Sequence, residues 1–440
     1  MKTTLSVVES WCRNYGPVFR VKFGPKSIIF LNSPEYVQKL LGSTDMNHHA
    51  KGFIYEPLKP VWNDGLIIST GEKWKFRRRL LDRHIFSYKT LFSYMKIFNE
   101  EADSFVLKLR ETDSRKGVAI DNLLKEATLN SILQAAIGVK IPDIALVDKD
   151  DICLTAIVDR MKELATKRIV NPWLLFKPLW RLHPLSKTED FLSQMAWKQA
   201  RKVIDQNAAL NARNNESLGE DLLAAGVSVE GILEEVSTLI SAGYETTESA
   251  LQFLFFFLAL HPHHQEKCRQ EVDSLFGDNE ANLEYRDLNK LKHLEMCIHE
   301  TLRLFPTVFL IMRKLNAPLR LENDLELAVG SEVAIFMPGI HKDPNLYPNP
   351  NDFIPERFSP EESQHRHKYS YVPFSNGPRK CIGFKFAIME MMCLTAKLLR
   401  HFVISTADKY EDIVVLPYIT LTLEKPINFI FKRRHPTSPN

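Results

Sequence analysis

Hydrophobic and polar residues change rhythm several times along this chain. Val18, Arg20 and Lys22 alternate with Phe19, Val21 and Phe23, a break follows at Gly24-Pro25-Lys26-Ser27, and Ile28 to Leu31 resumes the run, so residues 17–31 are expected to form a β-hairpin. Ser33-Pro34 predicts a capped helix start with Val37, Leu40 and Leu41 on its apolar face. Residues 52–71 carry glycines and prolines without a period and read as a long loop. From about Leu91 to Leu223 amphipathic helices are expected, punctuated by Pro142, Pro172, Pro178 and Pro184, with a surface loop at 211–220. Glu230 to His261 is a single helical pattern of about 32 residues, Leu291 to Leu304 another, and Phe384 to Phe402 a third. Strand-like runs separated by turns fill 314–336 and 413–431, which makes the chain mainly α with a smaller β region.

Composition changes this picture little. The 440 residues are 45% hydrophobic and 25% charged, as in folded soluble domains, so neither disorder nor a polytopic membrane protein is indicated. A net charge of +3 gives no reason to expect a nucleic-acid partner. Six cysteines lie scattered without a Cys-x-x-Cys, which argues against a disulfide framework and for a reducing compartment such as the cytosol. The longest apolar run, Leu251 to Leu260, is about half of the ~20 residues that a membrane span needs. Met1 to Val8 lacks the apolar stretch of a signal peptide.

Candidate chemistry centres on Phe374-Ser375-Asn376-Gly377-Pro378-Arg379-Lys380-Cys381-Ile382-Gly383. Gly377 and Pro378 turn the chain, and a helical pattern begins after Ile382, so Cys381 is expected just ahead of a helix N-terminus, where backbone N–H groups and Arg379 favour a thiolate. A second unusual run is Ala242-Gly243-Tyr244-Glu245-Thr246-Thr247, small and polar residues in the middle of the long apolar helix. Taken alone, Thr246 there would bond back to the carbonyl of Ala242. Trp74-Lys75-Phe76-Arg77-Arg78-Arg79 would by itself be a solvated basic face.

The spacing Phe-x-x-Gly-x-Arg-x-Cys-x-Gly resembles the haem-binding loop of the cytochrome P450 superfamily, and the likeness runs from about Tyr15 to near the C-terminus. Tyr15-Gly16-Pro17-Val18-Phe19-Arg20, Ser69-Thr70-Gly71-Glu72-Lys73-Trp74 and Pro373 to Arg379 bring it nearest to family 4 and its insect members. The resemblance implies the P450 fold across residues 1–440 as one catalytic domain, and a monooxygenase that inserts one oxygen atom of O2 into an apolar lipid, fatty acid, hormone or xenobiotic. It implies non-covalent haem b with Cys381 as axial thiolate. Phe374 flanks the loop, Trp74, Arg78, Arg313 and Arg379 hold the propionates, and Glu245 and Thr246 relay protons. Glu300, Arg303 and Arg357 would form a buried triad behind the loop. Leu239, Ile240, Ala242 and Val308 to Ile311 would line the pocket.

Expected partners are NADPH-cytochrome P450 reductase, with cytochrome b5 as a second donor, and the cytosolic face of the endoplasmic reticulum. Many family-4 members carry a glutamate that esterifies to haem where this chain has Ala242, so no covalent link is expected. His341-Lys342-Asp343-Pro344 and Asp82-Arg83 also depart from the family pattern. The family's N-terminal apolar anchor and proline-rich hinge are not seen, so the expectation is a shortened product, a cytosolic form or peripheral membrane contact. A haem-thiolate isomerase and a non-catalytic haem or ligand carrier are the alternatives.

Overall fold

The computed structural model describes residues 2–112, 117–140, 154–211, 218–276, 282–322 and 325–434. Its helices of eight residues or more are α1 (Lys2–Asn14), α2 (Pro34–Leu41), α3 (Gly71–His84), α4 (Met95–Glu111), α5 (Asp121–Ile137), α6 (Leu154–Val170), α7 (Leu185–Asn211), α8 (Val229–Leu260), α9 (Pro262–Phe276), α10 (Lys292–Leu304) and α11 (Phe384–His401). The strands are β1 (Val18–Phe23), β2 (Lys26–Leu31), β3 (Ala50–Lys51), β4 (Val118–Ala119), β5 (Leu310–Lys314), β6 (Leu319–Arg320), β7 (Glu326–Leu327), β8 (Glu332–Phe336), β9 (Phe402–Thr406), β10 (Val415–Pro417), β11 (Leu421–Leu423) and β12 (Asn428–Arg433).

α8 is the axis of the molecule. Ser228 caps it by accepting from the Gly231 N–H at 3.2 Å, and Pro262 follows its last turn. It is apolar on nearly every face, the pattern of a helix enclosed by others. α4, α5, α9, α10 and α11 accordingly pack with it into one large core. Gly243 lets α5 come close: a Cβ there would lie 2.6 Å from Cγ1 of Ile132.

The hairpin expected at 17–31 forms, with Phe23 opposite Lys26 across a Gly24-Pro25 turn. It is the edge of a five-stranded sheet ordered β1-β2-β8-β5-β3, in which only β2 and β8 run parallel. A three-stranded sheet, β4-β12-β9, and the hairpins β10-β11 and β6-β7 complete the β part. Ser33 caps α2 as expected, accepting from the Tyr36 N–H at 3.3 Å.

The structure corrects three boundaries. Residues 52–71 are not one loop: Phe53–Leu58 is a 3-10 helix and Lys59–Trp62 an α-helical turn, each holding a proline early or inside, which blurred the period. The apolar run expected to stay helical through Phe402 ends at His401, and β-branched Val403 and Ile404 continue as β9 against β12. The first strand of the 314–336 region starts earlier, at Leu310. Pro142 lies outside the described residues, as does most of the loop expected at 211–220.

Candidate functional site

Backbone geometry builds the cysteine loop before any side chain acts. Gly377 sits at φ +69°, and a Cβ on it would run into the carbonyl of Leu41 at the end of α2, so this position accepts only glycine. Asn376 accepts from the Gly377 N–H at 2.8 Å, a 3-10 turn runs through Gly377–Arg379, and the Cys381 N–H donates to the Phe374 carbonyl at 2.9 Å. α11 starts three residues later. The Cys381 thiol therefore opens into a cavity of about 600 Å³.

The charge reading at this cysteine needs correction. Burial pushes the thiol up from its ordinary range, and the groups that pull it down are the Gly383 N–H, Arg78 and Lys380, not Arg379. Arg379 instead points along the cavity wall, donating to the carbonyls of Ser69 at 2.9 Å and Ile67 at 3.2 Å.

Leu239, Ala242, Phe374 and Val308 to Ile311 line the cavity, together with Ile132 and Ile419 from two other segments. Ile240 does not. It faces the helical core, since a straight helix turns neighbouring side chains about 100° apart.

One end of this apolar space carries cations. Trp74 is buried there, with the Arg379 guanidinium 4.6 Å above its ring. Arg313 is buried and donates to the Met312 carbonyl at 3.1 Å, with the Tyr55 hydroxyl beside it. Lys51, which sequence reasoning missed, lines the same end with its ammonium 4.7 Å from the Tyr55 ring. Burial pushes all three cations down, and repulsion from neighbouring cations adds to it for Arg379, pushed to about 9, and for Lys51, held well below the usual lysine range. No described carboxylate relieves them. Arg78 differs: it is tied to Asp82 at 2.8 Å and to the Lys380 carbonyl at 2.7 Å. Buried cations whose charge no carboxylate balances are costly, so this end is arranged for an anionic ligand.

The Glu245 and Thr246 pair is split. Thr246 lines the cavity, and its hydroxyl donates to the Ala242 carbonyl at 2.8 Å, the plain back-bond open to it in an unbroken helix. Thr247 does the same to Gly243 at 3.1 Å. Glu245 does not line the cavity: it is buried against α6, ion-paired with Lys162 at 2.7 Å and accepting from the Thr420 hydroxyl. Behind Thr247 lies Glu390 of α11, fully buried, near Ser131, and pushed up to about 8 by desolvation. The sequence gives no signal for either contact, because Lys162 reaches Glu245 and Glu390 reaches Thr247 and Ser131 only through helix packing.

Behind the loop the triad assembles. Arg303 donates to Glu300 through Nε at 2.7 Å and Nη2 at 2.8 Å, and Arg357 Nε lies 3.4 Å from the same carboxylate. Arg303 also holds the His341 and Pro350 carbonyls at 2.9 and 2.7 Å. His341, completely buried, accepts from the Val372 N–H at 3.0 Å, two residues before the loop. Its imidazole is thus kept neutral, pushed down to about 3 by burial and by Arg303.

A family model described as Cytochrome P450 matches residues 2–431. The chain belongs to the cytochrome P450 family. It is similar to Cytochrome P450 4V2 of Mus musculus, 32% identical over 446 residues that cover 96% of this chain and 83% of the relative. The human protein of the same name gives 32% over 95% and 83%. Probable cytochrome P450 4p3 of Drosophila melanogaster gives 34% over 415 residues, 89% of this chain and 79% of the relative. All are family-4 members, as the sequence motifs imply. The chain is a haem-dependent monooxygenase of the oxidoreductase class with the mainly α P450 fold.

Proposed function

We propose that this P450, as one catalytic domain, inserts an oxygen atom from O2 into an apolar lipid-like substrate, using NADPH electrons passed on by cytochrome P450 reductase, with cytochrome b5 as a second donor. The observation that carries this reading is the cavity itself: one thiol on its floor, apolar walls, and cations without carboxylates at one end. A flat apolar macrocycle with two carboxylates and a thiolate-seeking iron fits that donor set. Cys381 would hold the iron, Trp74, Arg78, Arg313, Arg379 and Lys51 the propionates, and Phe374 would pack beside the sulfur. When bound, haem supplies the electron storage and oxygen activation that no side chain here provides.

The chain's own contribution is to orient, exclude water and move protons. The apolar walls hold substrate by burial without fixing its identity. Thr246 can release the Ala242 carbonyl and present its hydroxyl to the cavity, while Glu245, one residue away, holds a proton-exchanging carboxylate behind it. The ion pair with Lys162 holds that carboxylate away from the cavity, so proton supply would require the pair to open. Ala242 offers no carboxyl for a covalent ester, which supports freely extractable haem b.

Peripheral attachment to the cytosolic face of the endoplasmic reticulum fits a surface cluster. Val170, Trp173, Phe176, Leu179 and Leu182 are 43–82% exposed along α6 and the turns after it. No helix among the described residues is long and apolar enough to cross a membrane. Ferrous carbon-monoxide spectra of wild type and Cys381→Ser test the ligand, and substrate-dependent NADPH oxidation in the reconstituted system tests the reaction. A thiolate-type Soret band that survives in Cys381→Ser would give the iron another ligand. Substrate turnover without NADPH would favour an isomerase.

A further inference from the structure

Away from the cavity, α9 and α10 repeat one pattern: His264 and Cys268 on α9, His293 and Cys297 on α10, each pair four residues apart. Such spacing puts both side chains of a pair on one helix face. The two faces meet. Cys268 and Cys297 are fully buried with sulfurs 3.7 Å apart, and one ligand atom each from Cys268, His293 and Cys297 lies within 4.8 Å of the others. We propose that Cys268, Cys297 and His293 hold a zinc ion, with water as its fourth ligand, that staples α9 to α10.

The geometry supports this ion in particular. A tetrahedral zinc with Zn–S bonds of about 2.3 Å holds its two sulfurs about 3.8 Å apart, close to the spacing already present. Two thiolates cancel the charge of a divalent cation, so the filled site is neutral and suits an apolar interior. Outer support is also in place. His264 Nδ1 is 3.1 Å from His293 Nε2 and 3.9 Å from the Glu356 carboxylate, so a second imidazole, with a carboxylate beside it, meets the His293 ring and orients it as a metal ligand. Glu271 accepts from the His293 and Leu294 N–H groups at 2.7 and 3.1 Å, which fixes the start of α10 against α9 with the site empty. Glu356 and Lys267, both partly exposed, mark the route in from solvent.

The site is independent of the haem reading. Its consequence is mechanical: α10 also carries Glu300 and Arg303, so clamping its first turns steadies the support of the cysteine loop. The test uses purified holoenzyme equilibrated with buffered zinc and then stripped of loose metal. About one zinc per chain is expected, with sulfur neighbours at about 2.3 Å in zinc-edge X-ray absorption. Cys297→Ala and His293→Ala should lose that zinc while keeping the haem spectrum, and Cys12→Ala, at a distant buried thiol, should keep both. His264→Ala should weaken zinc binding by about 10- to 100-fold. Wild type without bound zinc, zinc without sulfur neighbours, zinc retained in Cys297→Ala, or a native disulfide between Cys268 and Cys297 would each overturn the proposal. The absorption experiment needs no variant, so a misfolded substitution leaves it decisive.

Discussion

At the scale of single residues, Thr246 is where the physical alternatives are sharpest. Its hydroxyl is engaged with the Ala242 carbonyl, yet it is a polar atom on an otherwise apolar wall. If it governs proton delivery, Thr246→Ala keeps the thiolate spectrum and substrate affinity but slows the productive step by about 10²- to 10⁴-fold, and NADPH consumption goes to hydrogen peroxide. Product, peroxide and NADPH measured together decide this, and an unchanged product-to-NADPH ratio leaves the hydroxyl with a purely helical role. Lys162→Met tests the second half of the pair. It leaves the Glu245 carboxylate buried without its Lys162 partner, so the product-to-NADPH ratio should fall. A ratio identical to wild type would remove Glu245 from the proton path. The back-bond of Thr246 was one of the readings the local sequence allowed. The withdrawal of Glu245 was not, because Lys162 is 83 residues away and reaches it only through the packing of α6 on α8.

At the scale of elements, the cysteine loop depends on what it leans on. Gly377→Ala adds a methyl that meets the Leu41 carbonyl at a left-handed backbone position, so the loop must shift away from α2. Haem occupancy of the purified variant should fall sharply, and full occupancy would show that the loop can rebuild without the α2 contact. Glu300→Ala removes the acid that two buried arginines share. Leaving Arg303 unpaired costs about 3–5 kcal/mol, seen as a lower denaturation midpoint, whereas a loss below 1 kcal/mol would mean water reaches the guanidinium. The elements themselves were largely legible. The cap at Ser33 and the alternation of β1 and β2 are local signals, and they produced the expected structures. Short turns such as Phe53–Leu58, and the change from α11 to β9 inside one apolar run, were not, since both periods bury the same residues and only the neighbouring strand β12 selects between them.

For the whole molecule, pH and surfaces matter. His341 has a folded pKa near 3 against an ordinary value of 6.5, so the unfolded chain binds its proton first as pH falls. Its contribution to stability is complete above about pH 6.5 and is lost progressively between there and pH 3, roughly 2 kcal/mol of it by pH 5. His341→Asn should flatten the acid limb of the stability profile over that window, and an unchanged limb would assign acid unfolding to other groups. The exposed cluster at Trp173, Phe176 and Leu182 should give vesicle binding that Trp173→Ser with Leu182→Ser weakens by about tenfold or more. Equal binding by the variant would place the contact elsewhere.

What the sequence alone determined were features whose cause is local. A glycine and a proline before a cysteine, a cap before a periodic run, and spacings long enough to name a family are written in neighbouring residues. Ten consecutive positions sufficed to name the cytochrome P450 family and to single out Cys381 as the candidate ligand. The tertiary structure decided everything set by proximity between distant segments: Lys51 joining Arg313 and Arg379 at the cavity end, Glu245 drawn to Lys162, Glu390 behind Thr247, and two helices each bringing a histidine and a cysteine to one point. Burial and charge act over a few ångströms, so such groups acquire their character only once packing has brought them together.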